Sequence, residues 1–201
     1  MKYFTLNESQ ASGTLVIVDI QPASKNYVHF DLFKFGEYTQ KFDQVFCFFN
    51  DEDFGMDDIN AMMEFYGEEG PVGLPYEDLD TWTFLPKQYA WFRDVMDTGV
   101  VQEDDIVTLI QYMLKHKKSD LREFDEDEIY KVKLKDDSFW DEQFQDDHSF
   151  YIPEQTLQDI RSLPKRFTLC GGGGDECLKE IQYLLDALKY KYKTDTKYVY
   201  W

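Results

Sequence analysis

The sequence is poor in residues on which several classes of scaffold and site depend. It has 3 cysteines among 201 residues, Cys47, Cys170 and Cys177, and none of them stands in a Cys-x-x-Cys spacing. A small and odd number of cysteines without this spacing argues against a disulfide framework and against a zinc site. It favours a reducing compartment, so the expected location is cytoplasmic.

Positive charge and long apolar runs are also scarce. The chain carries 21 basic against 40 acidic residues, a formal charge of −19. Such a field repels phosphate backbones and argues against nucleic acid as a partner. No apolar run reaches the length of roughly 18 residues that a membrane span needs, and the N-terminus lacks the pattern of an export signal. We therefore expect no membrane partner.

What is present indicates a folded α/β protein. Hydrophobic residues make up 43% of the chain and aromatic residues 17%, enough for a full core in one domain spanning residues 1–201. Residues 14–20, 43–51 and 166–170 read as buried strands, and residues 101–120 as an amphipathic helix. The alternation of strands and helices predicts a three-layer α/β sandwich with a mostly parallel central sheet.

Other segments are assigned from weaker patterns. Residues 52–80 read as an irregular acidic insertion, with "INAMMEFY" as a candidate helix within it. A proline near its start and a glycine at its end predict a helix over residues 85–99. Alternating polarity predicts a strand over residues 129–135, and residues 196–201 read as a terminal strand.

Four of the 11 glycines stand together, at residues 171–174, between a predicted strand and a predicted helix that contains Cys177. The run does not fit a phosphate-binding loop, because Asp175 and Glu176 follow it where a Walker loop has Lys-Ser/Thr. Two interpretations remain. One is a loop without chemistry; the other is a turn that aims a cysteine nucleophile.

The nucleophile interpretation has a physical basis. A cysteine in the first turn of a helix feels the positive end of the helix dipole, which lowers the pKa of its thiol. Glycines before it allow positive φ angles, and exposed backbone N–H groups there can form an oxyanion hole. Such a site also needs a proton acceptor and a cation. Asp19, at the end of the first strand, and a lysine at another strand end could supply them.

Three separated motifs resemble those of the isochorismatase-like cysteine hydrolases, a family that includes nicotinamidases. "VDIQ" is similar to the Asp-x-Gln signature that ends the family's first strand, and "GGGGDEC" to its Gly-Val-Ala-Thr-Asp-x-Cys nucleophile turn. "KLKDDSF" is similar to its Lys-x-x-x-Ser-x-Phe pattern, with Lys133 six residues before Phe139 and Ser138 one position late. Lys131 and Lys135 are close rivals of Lys133. The resemblance covers about residues 14–201.

The resemblance implies an Asp19–Lys133–Cys177 triad that hydrolyses a small amide, ester or related substrate. Cys177 would attack, Asp19 would transfer the proton, and Lys133 would orient Asp19. The backbone N–H groups of Gly173 and Cys177 would bind the oxyanion, and a cis peptide bond is expected between Gly172 and Gly173. Family members often form dimers or tetramers, so a homo-oligomer is a further expectation.

The chain also departs from the family pattern. Its only histidines, His29, His116 and His148, are not placed like those of the nicotinamidase metal site, so neither a metal nor another cofactor is expected. Three glycines replace Val-Ala-Thr, and Glu176 adds a negative charge beside the nucleophile. The alternative to a hydrolase is a catalytically degenerate member of the family whose acidic surface binds a basic partner.

Overall fold

The computed structural model describes residues 13–23, 29–50, 58–87, 103–129, 131–135 and 150–200. Within them the strands are β1 (Thr14–Val18), β2 (Gln44–Asn50), β3 (Trp82–Lys87), β4 (Arg166–Gly171) and β5 (Lys191–Thr194). The α-helices are α1 (Leu32–Thr39), α2 (Ile59–Tyr66), α3 (Glu103–His116), α4 (Glu126–Ile129), α5 (Glu154–Ser162) and α6 (Cys177–Ala187), and short 3₁₀ helices cover Tyr76–Thr81, Leu121–Glu123 and Thr196–Tyr198.

The five strands form one sheet in the order β3-β2-β1-β4-β5, and all neighbouring pairs are parallel. The protein therefore has the expected α/β architecture around a parallel sheet. The central strand β1 is buried over Leu15–Val18, as its uninterrupted β-branched and apolar sequence predicts. Leu15 and Ile17 on one side of β1 pack in a core with residues of α1 and α2, among them Phe35 and Tyr66.

The chain divides into two compact units. The first comprises Met1–Tyr89, Ser162–Lys179 and Lys191–Trp201 and contains the whole sheet. The second comprises Ala90–Arg161 and Glu180–Tyr190. In the second unit α3 buries Ile106, Leu109, Ile110 and Met113 at helical spacing, and it carries acidic residues in its first turn and basic residues in its last. Both features of α3 were predicted.

The start of the helix predicted over residues 85–99 is wrong. Residues 85–87 belong to β3, which pairs with β2 from Trp82 to Lys87, and residues 88–99 lie outside the described residues. Pro86 is compatible with the strand because β3 is an edge of the sheet, where one side of the backbone needs no partner. The proline that suggested a helix start is thus an edge-strand proline.

Two predicted strands are also wrong. Ile129 ends α4, and residues 131–135 form turns and irregular backbone. Buried and exposed side chains do alternate here, since Val132 and Leu134 are buried between exposed lysines. The backbone is nevertheless not paired with a strand: the N–H of Lys135 donates to the side chain of Asp105 at 2.8 Å. Near the C-terminus the strand is β5, and Thr196–Tyr198 form a 3₁₀ helix.

The segment interpreted as an irregular acidic insertion contains regular structure. α2 and the 3₁₀ helix Tyr76–Thr81 lie within it, and they occupy the connection between β2 and β3. Parallel neighbouring strands require such a crossover, because the chain must return to the same end of the sheet. The acidic residues there lie on a structural connection of the fold; residues 52–57 are outside the described part.

β1 and β4 approach each other so closely at one point that only glycine fits. Val18 is paired with Gly171, whose φ is +85°. A Cβ on Gly171 would lie 2.3 Å from the Val18 carbonyl oxygen and 2.9 Å from the Val18 nitrogen. Both are backbone atoms, so the two strands would have to separate.

Gly171→Ala is therefore expected to lower the free energy of unfolding by more than the roughly 1–2 kcal/mol of a left-handed residue alone. Gly73→Ala is the matched control, since Gly73 has φ +75° but its Cβ would meet nothing closer than 3.8 Å. Urea unfolding of both variants measures the difference. Equal losses would contradict the close approach of β1 and β4.

Candidate active site

A buried ion pair joins the ends of two strands that are not neighbours. The Nζ of Lys87, the last residue of β3, lies 2.8 Å from Oδ2 of Asp19, the residue after β1. The two side chains are 1% and 6% exposed. Because β2 lies between β1 and β3, the two backbones are about 9–10 Å apart, a gap that the long lysine side chain spans.

The backbone at Asp19 is held in an uncommon conformation. Its φ is +48°, in the left-handed region that few residues other than glycine, asparagine and aspartate adopt. The Asp19 N–H still donates to the carbonyl of Phe48 on β2 at 2.9 Å. The chain therefore leaves the sheet abruptly at Asp19, immediately after its last ladder hydrogen bond. Strained backbone of this kind is concentrated at functional sites.

Gln21 fixes the same end of the sheet. Its buried side-chain amide donates from Nε2 to the Asn50 carbonyl at 3.0 Å and accepts from the Asn50 N–H at 2.7 Å. One side chain thus satisfies both polar backbone groups of the last residue of β2. The second polar residue of the "DIQ" sequence ties β2 to the segment that carries Asp19, so it holds the site in place.

Across β1 from the ion pair, the glycine run forms a turn that ends at Cys177, the first residue of α6. Gly172 has φ +67°, and a Cβ there would lie 3.1 Å from the Cys177 sulfur and 3.0 Å from the Leu178 nitrogen. The glycines therefore let the turn pass directly against the thiol. No cis peptide bond occurs among the described residues, so the expectation of a cis bond between Gly172 and Gly173 is wrong.

Cys177 is contacted by one backbone group and one side chain. The N–H of Gly173 donates to Sγ at 3.2 Å, and the hydroxyl of Tyr200 lies 3.6 Å from Sγ. The Gly173 N–H thus points to the atom beside which the predicted oxyanion would form. The oxyanion role of Gly173 and Cys177 stays a prediction.

Burial, and not the helix dipole, dominates the ionisation of this thiol. Cys177 is 6% exposed, and desolvation raises the pKa of its thiol to about 12, with the Asp19 carboxylate acting in the same direction. Lys87, Tyr200 and the Gly173 N–H oppose this rise. The lowered pKa predicted from the position at a helix start is wrong. Burial therefore favours the neutral thiol over the thiolate.

Three of the expected features thus meet at one end of the sheet. The pairing of Val18 with Gly171 sets the ends of β1 and β4 side by side, so Asp19, which contacts Lys87, and the glycine turn that leads to Cys177 follow at the same end of the sheet. The three side chains form one cluster, in which Asp19 raises and Lys87 lowers the pKa of the thiol. The chain runs from β1 outward to β3 and then returns to β4 on the other side of β1. The cluster therefore lies at the topological switch point, where open parallel sheets place their ligands.

The lysine of the cluster is not the one that was predicted. Lys133 is exposed and belongs to the second compact unit, whereas Asp19 pairs with Lys87 of the first. Lys131 is exposed too, and Lys135 pairs with Asp104. Lys87 was missed because Pro86 suggested a helix. A strand reading of "WTFLPK" would have put a lysine at a strand end.

Cys47 and Cys170 are completely buried in the core, as predicted. In the described part of the chain, no cluster of three or more histidine, cysteine, aspartate or glutamate side chains could hold a metal ion. No described helix combines the length and apolar character needed to cross a bilayer.

Comparison of the chain with protein-family models, with curated proteins and with solved structures found no match.

The buried ion pair predicts a specific pattern of stability. Removing one partner, by Asp19→Asn or Lys87→Met, leaves the other charge in a dry environment and should cost about 3–5 kcal/mol. The double variant should recover much of this loss because no buried charge remains. Urea unfolding at pH 7 measures the free energy of unfolding of each variant.

Lys34→Met is the control, since Lys34 forms an exposed ion pair with Asp31 at 3.4 Å. It should leave the free energy of unfolding nearly unchanged, because water replaces a lost surface partner. A Lys87→Met variant as stable as Lys34→Met would show that the Asp19–Lys87 pair is not dry.

Proposed function

We propose that the protein is a hydrolase of the isochorismatase-like type, with Cys177 as nucleophile, Asp19 as proton-transfer residue and Lys87 as the cation that orients Asp19. The substrate would be a small amide, ester or related molecule. The observation that carries the proposal is the buried Asp19–Lys87 pair beside a cysteine at the switch point of the sheet. A buried ion pair adds little net stability, so its presence at the switch point of the sheet is better explained by chemistry.

The ionisation of the thiol defines the role of Asp19. With a pKa raised to about 12, Cys177 holds its proton at neutral pH and must transfer it as it attacks. The Asp19 carboxylate, held by Lys87, is the proton acceptor in the same cluster. Lys87 balances the charge of that carboxylate before the transfer, and its ammonium then faces the developing negative charge of the reaction.

The proposed reaction proceeds through an acyl-enzyme. The Cys177 sulfur bonds to the carbonyl carbon while its proton passes to Asp19, and the carbonyl oxygen takes up the negative charge. When this intermediate collapses, the bond to the amine or alcohol breaks and the leaving group takes the proton from Asp19. A water molecule then gives a proton to Asp19 as it attacks the thioester. The carbon–sulfur bond breaks, the sulfur takes the proton back from Asp19, and the acid is released.

The fold supports the family assignment at a coarse level and in its order of elements. Asp19 follows the first strand, Lys87 ends the third, and Cys177 starts the helix after the fourth. The parallel sheet with buried strands on both sides of β1 is what a three-layer sandwich requires. We extend this to the isochorismatase-like fold as part of the same proposal.

A second candidate is the catalytically degenerate binding protein. The observation that favours it is the low exposure of the thiol, 6%, together with the close contact of the glycine turn against Sγ. In that case the cluster of Asp19, Lys87 and Cys177 would have no catalytic role, and the acidic surface would bind a basic partner. The two candidates differ in whether Cys177 can be acylated at all.

Covalent trapping distinguishes them. The protein is incubated with a panel of small p-nitrophenyl esters and aryl amides, and the modified residue is located by mass spectrometry. A hydrolase should give an acyl adduct on Cys177 and turnover that Cys177→Ala abolishes. Absence of any adduct, or acylation of Cys47 or Cys170 instead, would contradict the hydrolase and leave the binding protein.

Two lysine variants test the assignment of the cation. Lys87→Met should lower the rate of acylation by about 10²–10⁴, because Asp19 loses its orienting partner. Lys133→Met should leave the rate unchanged, because Lys133 is exposed and the carboxylate of Asp19 is paired with Lys87. Circular dichroism establishes that both variants are folded. The opposite ranking of the two variants would restore Lys133 to the triad.

A further inference from the structure

Tyr200 is attached to the glycine turn by its backbone. Its N–H donates to the Gly172 carbonyl at 3.2 Å, and its carbonyl accepts from the Gly174 N–H at 2.9 Å. These two bonds form an isolated parallel bridge between Gly173 and Tyr200. The position of Tyr200 is therefore fixed relative to the turn that presents Cys177.

The side chain of Tyr200 is directed to the thiol. Its hydroxyl lies 3.6 Å from the Cys177 sulfur, within hydrogen-bonding range of a large sulfur atom. The ring also passes over the turn, since a Cβ on Gly173 would lie 3.2 Å from Cε2 of Tyr200. Tyr200 is half-buried, whereas Asp19 and Lys87 are almost completely buried. No motif of the sequence indicated this residue.

The charge state of the sulfur decides the direction of the hydrogen bond. With a neutral thiol, either group can donate to the other. A thiolate has no proton, so the Tyr200 hydroxyl must then be the donor. A donor fixed beside the sulfur favours the charged form, and hydrogen bonds to charged groups are the stronger ones.

We propose that Tyr200 is a positioning residue of this site, whose hydroxyl donates a hydrogen bond to the thiolate of Cys177 and increases its population. The inference rests on the proposed role of Cys177 as a nucleophile. Within the cluster Tyr200 acts with Lys87 and the Gly173 N–H against burial and against the Asp19 carboxylate, which both favour the neutral thiol. Tyr200 also supplies a side-chain hydrogen-bond donor, which the glycines of the turn lack.

The experiment measures the thiolate through its reaction with methyl methanethiosulfonate at pH 7.5, with the modified cysteine located by mass spectrometry. Tyr200→Phe keeps the ring and the backbone bridge but removes the donor, so the reaction of Cys177 should slow by about threefold to tenfold. Tyr198→Phe is the control. The Tyr198 hydroxyl contacts the Lys34 carbonyl at 3.4 Å, and the reaction of Cys177 in this variant should match that of the unmodified protein.

A second variant separates hydrogen bonding from a role in packing. Replacement of Tyr200 by 3-fluorotyrosine makes the hydroxyl more acidic and a stronger donor with almost the same shape, so the reaction of Cys177 should become faster. An order of rates from phenylalanine through tyrosine to fluorotyrosine supports the proposal. Equal rates in all three, or a faster reaction of Tyr200→Phe because the sulfur is uncovered, would overturn it.

The outcomes also keep the two proposals apart. If Cys177 of the unmodified protein reacts with the reagent but forms no acyl adduct with the esters and amides, the hydrolase fails while the hydrogen bond of Tyr200 is still measured. If acyl adducts form and Tyr200→Phe changes neither the adducts nor the reaction of the thiol, only the role of Tyr200 fails.

Discussion

The buried contact between Lys87 and Asp19 constrains the rest of the first unit. Two opposite charges can remain in a dry environment only if their geometry is accurate, so the ends of β1 and β3 must be held at a fixed separation. β2 lies between them, and the amide of Gln21 holds its last residue by two hydrogen bonds. The left-handed backbone of Asp19 turns the chain away from the sheet at the point where the carboxylate is needed. The order of the strands, their register and the left-handed backbone at Asp19 together bring the two charges of the ion pair into contact.

On the other side of β1, the glycine turn allows close packing of the backbone, and this packing changes the ionisation of Cys177. Gly171 lets β4 approach the backbone of Val18, and Gly172 lets the turn pass against the sulfur of Cys177. Close packing of this kind removes water from the thiol, which raises its pKa to about 12. The same burial strengthens every charge and dipole that acts on the sulfur, since the local dielectric constant is low. The nucleophile that we propose would, in this environment, depend on Asp19 and on fixed donors much more than an exposed cysteine does.

The segment that follows β5 completes the site by local contacts. Asp195 accepts a hydrogen bond from the Tyr38 hydroxyl at 2.8 Å, and its N–H donates to the carbonyl of Leu169 on β4. Tyr198 packs its ring against Phe35 and Tyr38 of α1. These contacts hold the segment against the core, so that Tyr200 reaches the glycine turn. Positions distant in sequence, around residues 19, 87, 177 and 200, are brought together by this packing.

Several features could be predicted from the sequence: the α/β class, the buried strands β1, β2 and β4, the helix α3, and Asp19 and Cys177 as candidate site residues. These follow from local patterns: uninterrupted β-branched runs, helical spacing of apolar residues, and a glycine run before a cysteine. Which lysine faces Asp19 depends instead on how the strands pack. Lys87 and Lys133 both stand in plausible local sequences, but reaching Asp19 depends on which strand lies two positions from β1, and no local pattern encodes that order. The same holds for Tyr200 and for the ionisation of Cys177, since contact and burial arise only when distant segments pack.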